Sequence, residues 1–299
     1  MITRRNVLKA LVGGVAGLFA TAAYPFVEVM ARPQVTRYSV TPNRWSSKLK
    51  LRIVALADIH ACEPWMSAAR IESICVRANE LEADLILLLG DYVSGMRLVT
   101  EYVPSTDWAR ALATLKAPLG VHAVLGNHDY WEDLRFQRDP RTENIATEAL
   151  RAVGIHTYTN EAIRLQKDGQ TFWLAGLGDQ MALRPGKDFK RTAMKGIDDL
   201  AGTLSQITDD SPVLLMAHEP DIFPRVSNRV SLTLSGHTHG GQINILGWRP
   251  AAASRGSQRY PAGYYREQGR DLIVSRGLGC SVLPLRVGSR PEIVVIELG

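Results

Sequence analysis

The chain has 299 residues, 45% of them hydrophobic, enough for one large globular body, or at most two, with an ample core. Its formal charge is +5, but residues 1–32 carry Arg4, Arg5, Lys9 and Arg32 against Glu28 alone, a local +3 that leaves only +2 for the remainder; so nearly neutral a body argues against a dedicated nucleic-acid binder. Three cysteines without close spacing, Cys62, Cys75 and Cys280, exclude a disulfide framework.

Residues 1–31 read as a targeting segment, to be kept apart from the fold. Thr3-Arg4-Arg5-Asn6-Val7-Leu8-Lys9 resembles the twin-arginine export motif, with Val7 where phenylalanine is usual, and precedes an apolar stretch from Ala10 to Ala23. That stretch is shorter than the ~20 apolar residues of a membrane span, and Pro25 with Glu28 is expected to end it. Ala20-Thr21-Ala22 offers a small-x-small cleavage site and Val29-Met30-Ala31 a second one. An uncleaved signal-anchor helix is the alternative. The expected location is therefore the periplasm or cell envelope, reached with the twin-arginine translocation machinery as a partner, or the cytoplasmic membrane.

Residues 32–48 are polar and predict an extended lead-in, and the main domain is expected over 49–299. Short apolar runs at Leu51 to Ala57, Leu85 to Leu89, Val121 to Leu125, Val213 to Met216 and Leu232 to Leu234 predict buried strands. Helical spacing falls between them, at Met66 to Glu82, Asp107 to Leu115, Glu143 to Val153 with Thr142 as its N-cap, and Asp198 to Ile207. Phe172 to Leu177 predicts a further strand. After residue 241 the pattern changes to short strands of antiparallel character, Tyr264 to Glu267, Asp271 to Ser275 and Glu292 to Leu298, with Gly277 and Gly279 marking a tight loop. Alternation of strand and helix implies an α/β fold with crossover connections and mixed sheets.

Each of five strands delivers a polar cluster at its C-terminal end, the edge where open α/β sheets bind ligands. In order these are Asp58-Ile59-His60, Gly90-Asp91, Gly126-Asn127-His128-Asp129, Ala217-His218-Glu219 and Gly236-His237-Thr238-His239-Gly240-Gly241-Gln242. Carboxylate, imidazole and amide donors without thiolate suit Mn²⁺, Fe or Zn²⁺ rather than a soft metal or structural zinc. Alternate residues of an extended segment point the same way, so His237 and His239 are expected to face one site together.

Taken in this order, the clusters resemble the calcineurin-like metallophosphoesterase superfamily from about Leu51 to the C-terminus. The resemblance implies a four-layer αββα sandwich of two mixed β-sheets with flanking helices, and a dinuclear centre of two divalent ions with manganese favoured. It assigns Asp58, His60 and His239 to one ion, Asn127, His218 and His237 to the other, and Asp91 to both. Water is then the nucleophile for a phosphate ester. His128 matches the superfamily histidine at the leaving-group oxygen, with Asp129 expected to orient its ring.

Other candidates carry less. Arg276 lies in a loop expected to reach a substrate phosphate, and Tyr130 and Trp131 are candidates to flank the leaving group, with packing as the simpler reading. His122, His156 and Cys62 match no ligand position and are expected to be ordinary packed or surface residues. The segments around Tyr264, Ser275-Arg276-Gly277-Leu278-Gly279 and Pro291-Glu292-Ile293 look similar to a bacterial branch of exported or membrane-associated phosphodiesterases. That branch includes hydrolases of the UDP-2,3-diacylglucosamine pyrophosphate in lipid A synthesis. Phosphodiester or pyrophosphate hydrolysis is the leading expectation, on a substrate that includes a lipid or nucleotide-sugar lipid among its candidates. A phosphomonoesterase and a non-catalytic binding scaffold are the alternatives, the last disfavoured because every ligand position is filled.

Overall fold

Apolar side chains along the strand Leu51–Leu56 face two directions in turn: Leu51, Ile53 and Ala55 join one buried cluster, Val54 and Leu56 another. The same period of two divides Leu85 and Leu87 from Ile86 and Leu88. Strands apolar on both faces must lie inside, with packing partners above and below. The computed structural model describes residues 3–299, so the first two residues of the predicted targeting segment lie outside it.

The chain begins with α1 (Arg4–Met30) and β1 (Gln34–Val40), then runs through β2 (Leu51–Leu56), β3 (Cys62–Glu63), α2 (Ala68–Asn79), β4 (Leu85–Leu88), β5 (Glu101–Tyr102) and α3 (Ser105–Leu112). It continues with β6 (Val121–Val124), α4 (Asn127–Trp131), α5 (Leu134–Arg138), α6 (Ile145–Ala152), β7 (His156–Tyr158), β8 (Glu161–Lys167) and β9 (Gln170–Gly176). The last part holds α7 (Leu200–Ser205), β10 (Val213–Met216), β11 (Leu232–Ser235), α8 (Arg255–Arg259), β12 (Gly263–Glu267), β13 (Arg270–Val274) and β14 (Glu292–Leu298).

Two six-stranded sheets result, with strand orders β1-β14-β2-β4-β6-β7 and β12-β13-β11-β10-β9-β8, and β3 pairs with β5 in a separate two-stranded sheet. In the first, β2, β4, β6 and β7 are parallel, and β14 runs antiparallel to β2 while pairing in parallel with β1. In the second, β9, β10, β11 and β13 are parallel and the edge strands β8 and β12 antiparallel. Ile53, Leu87, Val124, Leu174, Leu214 and Ile296 fill the space between the sheets. Residues of α2, α3 and α6 cover the outer face of the first sheet, and α7 with the turn Pro220–Arg225 covers the second. These are the four layers of an αββα sandwich.

Several local expectations are corrected. Asn144, not Thr142, caps α6, its Oδ1 accepting from the Ala146 N–H at 2.8 Å. Two strands were not predicted, β7 with His156 and the polar edge strand β8, whose half-exposed alternation carried no strong apolar signal. The late strands are not one antiparallel group: β13 pairs in parallel with β11, while β14 belongs to the other sheet. Within the segment 32–48, Gln34–Val40 is itself an edge strand paired along its length with Glu292–Leu298.

Pro25 does not end the N-terminal helix, which continues to Met30. Proline removes one helical donor, but contacts with the body hold the last turns in place. The Pro25 carbonyl accepts from Arg286 N–H at 3.0 Å, and the Glu28 carboxylate accepts from Ser289 N–H at 2.9 Å and Gly288 N–H at 3.0 Å. Arg70 Nη2 donates to the Val29 carbonyl at 2.7 Å. The helix is long and apolar enough to cross a membrane by length and composition.

Leu87 lies fully buried between the sheets. Leu87→Ala should cost about 2–5 kcal/mol of stability, read as a lower urea midpoint at unchanged slope; an unchanged midpoint would contradict this placement.

Candidate metal centre

The C-terminal ends of β2, β4, β6, β10 and β11 converge at one edge of the sandwich and carry Asp58 and His60, Asp91, Asn127, His218, and His237 with His239. Five of these seven residues adopt left-handed backbone: Asp58 (φ 54°), His60 (49°), Asp91 (58°), His237 (68°) and His239 (50°). Such conformations are costly for residues with a Cβ and persist only where the surroundings impose them. His237 and His239 therefore meet the site through left-handed turns, not through alternation along a strand as the spacing suggested. At the ends of β2, β4 and β11 this reversal points side chains back across the sheet edge.

The polar atoms are close together and buried. His60 Nε2 lies 3.1 Å from His239 Nε2 and 3.4 Å from Asp91 Oδ2, and His218 Nε2 lies 3.2 Å from the same Asp91 oxygen. His237 Nδ1 is 2.9 Å from Asn127 Oδ1, and His239 Nε2 is 3.8 Å from Asp58 Oδ1. Three groups could each hold a cation: Asp58, His60 and His239; His60, Asp91 and His128; Asp91, His218 and His237. Asp91 and His60 each belong to two of them. His60 Nδ1 and His218 Nδ1 face the carbonyls of Val93 (3.2 Å) and Leu89 (2.7 Å), which leaves each Nε2 lone pair for the interior.

Asp58 Oδ2, His218 Nε2 and His237 Nε2 are buried without a hydrogen-bond partner. Orphaned polar atoms at such depth are expensive, and a pair of divalent cations is the species that these donors fit. The electrostatics agree except at His218, where burial would lower the imidazole but Asp91 holds it well above its usual range. Burial, with Asp91 beside it, pushes the Asp58 carboxyl up to about 7. Burial pushes the imidazoles of His60 and His237 down to about 3, the unprotonated form that a ligand needs. Asp91 is opposed by burial, yet the imidazoles of His218, His128 and His60 hold it well below the carboxylate range.

The Gly90–Val93 loop is fixed by Asp129. Its Oδ2 accepts from the N–H groups of Asp91 (2.9 Å) and Gly126 (2.8 Å), and its Oδ1 from those of Tyr92 (2.8 Å) and Val93 (3.0 Å). Gly90, at φ 94°, passes so near the opposite loop that a Cβ would lie 2.8 Å from His218 Nδ1. Asp129 thus positions a ligand-bearing loop and does not orient the His128 ring, correcting the expected role. The carboxylate nearest that ring is Glu132, with Oε1 3.7 Å from His128 Nδ1. Burial would lower the His128 imidazole, but Asp91 and Glu132 more than offset it and raise it above its usual range.

His128 lines a cleft of about 430 Å³ together with Asp91, Asn127, His237 and His239. Trp131 lines it too, its ring 5.2 Å from that of His128, whereas Tyr130 is buried against Phe136 and does not. Arg276 is also not at the cleft, because Glu292 takes its guanidinium at 2.7 Å and its N–H at 2.8 Å. His122 is a packed histidine bonded to Tyr158 Oη at 2.8 Å, and His156 pairs with Glu161 on the surface. Cys62 packs with Val29, Met96 and Cys280.

Two features had no sequence signal. Arg286 is fully buried and donates to the carbonyls of Arg276 (2.9 Å) and Ser289 (2.6 Å), with Nη2 3.3 Å from His239 Nδ1. Ser289 Oγ donates to the His239 carbonyl at 2.6 Å. Asp179 and Glu219 form a buried pair of carboxyls behind His218, and burial together with the Glu219 charge raises Asp179 well above its ordinary range.

The sequence profile of the calcineurin-like phosphoesterases matches residues 51–241. The uncharacterized metallophosphoesterase YkuE of Bacillus subtilis is 28% identical over 99% of this chain and 98% of its own length. A Danio rerio transmembrane protein with metallophosphoesterase domain is 27% identical, over 99% of this chain and 63% of its own. Among solved structures, Haemophilus influenzae NAD nucleotidase matches 77% of this chain and 51% of its own with a TM-score of 0.46 and 16% identity.

Asp129→Asn puts an amide N–H where backbone donors now find an oxygen. Affinity for divalent ions, measured by competition with a chromophoric chelator, should fall about 10–100-fold although Asp129 is no ligand; wild-type affinity would remove its positioning role.

Proposed function

Because the chain belongs to the calcineurin-like phosphoesterase family, we propose that this metal-dependent hydrolase cleaves a phosphodiester or pyrophosphate bond. The observation that supports the reading is the shared membership of Asp91: its carboxylate joins two of the buried ligand groups at the floor of an open cleft. Asp58, His60 and His239 would hold one divalent ion and Asn127, His218 and His237 the other, with Asp91 between them, and manganese is the favoured metal. Bound there, two such ions supply a nucleophile from water at neutral pH and neutralise charge on the phosphoryl oxygens.

The chain's own groups complete the chemistry. His128 stands at the cleft with Nε2 3.4 Å from Ser281 Oγ, placed to give a proton to the departing oxygen. Glu132 faces its other nitrogen and favours the protonated ring. Trp131 beside it limits water and offers a flat apolar surface to the leaving group.

A lipid-linked pyrophosphate of the UDP-2,3-diacylglucosamine kind is the second reading, favoured by the apolar wall of the same cleft. Met181, Ile243, Ala252, Val282 and Leu283 line it beside the polar floor. The N-terminal helix supports a location at the membrane, as signal or anchor, and the Thr3–Lys9 motif supports delivery by the twin-arginine machinery.

Purified protein, assayed for bound metal and for turnover of aryl phosphomonoesters, aryl phosphodiesters, oligonucleotides and UDP-diacylglucosamine, tests this. Diester or pyrophosphate turnover that vanishes on chelation is expected, and undiminished turnover after thorough chelation would overturn it. Chelation should also lower the melting temperature, because each ion present at 100 times its Kd contributes about 2.7 kcal/mol. His128→Ala should reduce turnover of a poor leaving group by about 10²–10⁴-fold with both ions retained; unchanged turnover would cancel its role as proton donor.

A further inference from the structure

The rim of the cleft carries apolar side chains that nothing among the described residues covers. Leu246 is fully exposed, Val282 72% and Trp248 61% exposed, and Ile245 and Leu283 are also on the surface. The two segments that bear them form one patch: Gln242 Nε2 donates to the Leu283 carbonyl at 2.8 Å, and Asn244 N–H to the Val287 carbonyl at 2.7 Å. Their composition is one-sided. Between Gln242 and Gln258 stand Arg249 and Arg255 with no carboxylate, and Cys280 to Pro291 adds the exposed Arg290, again with none, Arg286 being buried.

The same patch is where the N-terminal helix meets the body. Val287, which receives the Asn244 N–H, is flanked by Arg286, bonded to the Pro25 carbonyl, and by Gly288, bonded to Glu28. At 1.5 Å per residue the helix between the Arg4-Arg5 pair and Pro25 is about 30 Å long, matching a hydrocarbon core of about 30 Å. A helix spanning the bilayer up to Pro25 brings loops 243–248 and 281–283 to the level of the lipid headgroups. Trp248 is of the type enriched at that depth.

We propose that loops 243–248 and 281–283 are a membrane-docking surface that inserts into the headgroup region of an anionic bilayer and sets the mouth of the cleft on the lipid surface. The occupant is the membrane itself, since apolar tips accompanied by Arg249, Arg255 and Arg290 match its chemistry and the patch is continuous with the helix that enters it. A substrate could then pass from bilayer to cleft along Val282, Leu283 and Ile243 without exposing an apolar tail to water. The proposal rests on the anchored state of the N-terminal helix and is independent of which phosphate bond is cleaved.

Nitroxide labels at Leu246→Cys, Val282→Cys, Leu11→Cys and Asp168→Cys, one at a time in the full chain, test it, because Cys62, Cys75 and Cys280 are buried. Asp168 sits in the β8–β9 turn, at the opposite end of its sheet from the metal centre. In vesicles of phosphatidylethanolamine and phosphatidylglycerol, labels at 246, 282 and 11 should lose collisions with a water-soluble nickel relaxant and gain them with oxygen relative to the label at 168. Labels at 246 and 282 as nickel-accessible as 168, with 11 protected, would overturn docking while leaving the anchor standing. Accessibility at 11 as well would overturn both, and spin–spin broadening at 246 would mean that a second copy covers the patch instead. None of these outcomes depends on turnover, so failure here is distinguishable from failure of the hydrolytic reading.

Discussion

Burying two carboxylates and several imidazoles at the edge of an apolar double sheet is unfavourable unless their charges are balanced and their positions fixed. The fixing falls to Asp129, which gathers four backbone N–H groups from two loops and so locks the Gly90–Val93 segment against the Gly126 turn. With that segment locked, Asp91 can sit within 3.4 Å of His60 on one side and 3.2 Å of His218 on the other. The balancing falls to the cations that these donors fit. Neither device suffices alone: an unlocked loop would let Asp91 swing to water, and a locked one without cations leaves orphaned atoms in the interior.

Left-handed backbone at five candidate ligands is the local form of the same constraint. Each strand ends buried, its direction dictated by the sheets, and a side chain continuing that direction would leave the site. Reversing the chain at Asp58, Asp91 and His237 brings the donors inward, and the inter-sheet packing sustains the strain. Close passage of the loops then requires residues without a Cβ, as at Gly90 against His218. The site and the core are thus one mechanical unit.

The parts legible in the sequence were those carried by apolar period and by residue type. Runs such as Leu85–Leu88 declare a strand buried on both faces, and the polar clusters that follow them declare the edge at which donors gather. Hidden parts depended on backbone acceptors and on distant partners. Asp129 looked like an aid to its neighbour His128, because its true partners, the N–H groups of Asp91 to Val93, have no signature in residue identity. Arg276 and Arg286 are equally ordinary in the sequence; only the fold gives Glu292 to the first and a place beside His239 to the second. Polar β8 and the passage of α1 through Pro25 escaped for the same reason, since both are held by tertiary contacts.

The seating of Glu28 on Gly288 and Ser289 has a consequence for maturation. Ser289 holds the His239 backbone and Arg286 lies against its ring, so the last turn of α1 buttresses a candidate metal ligand from behind. A peptidase cutting after Ala31 would carry that buttress away, whereas one cutting after Ala22 would free the protein from any anchor and leave Glu28 in its seat. The two proteolytic fates are therefore not equivalent: the first discards a piece of the finished enzyme, the second only its tether.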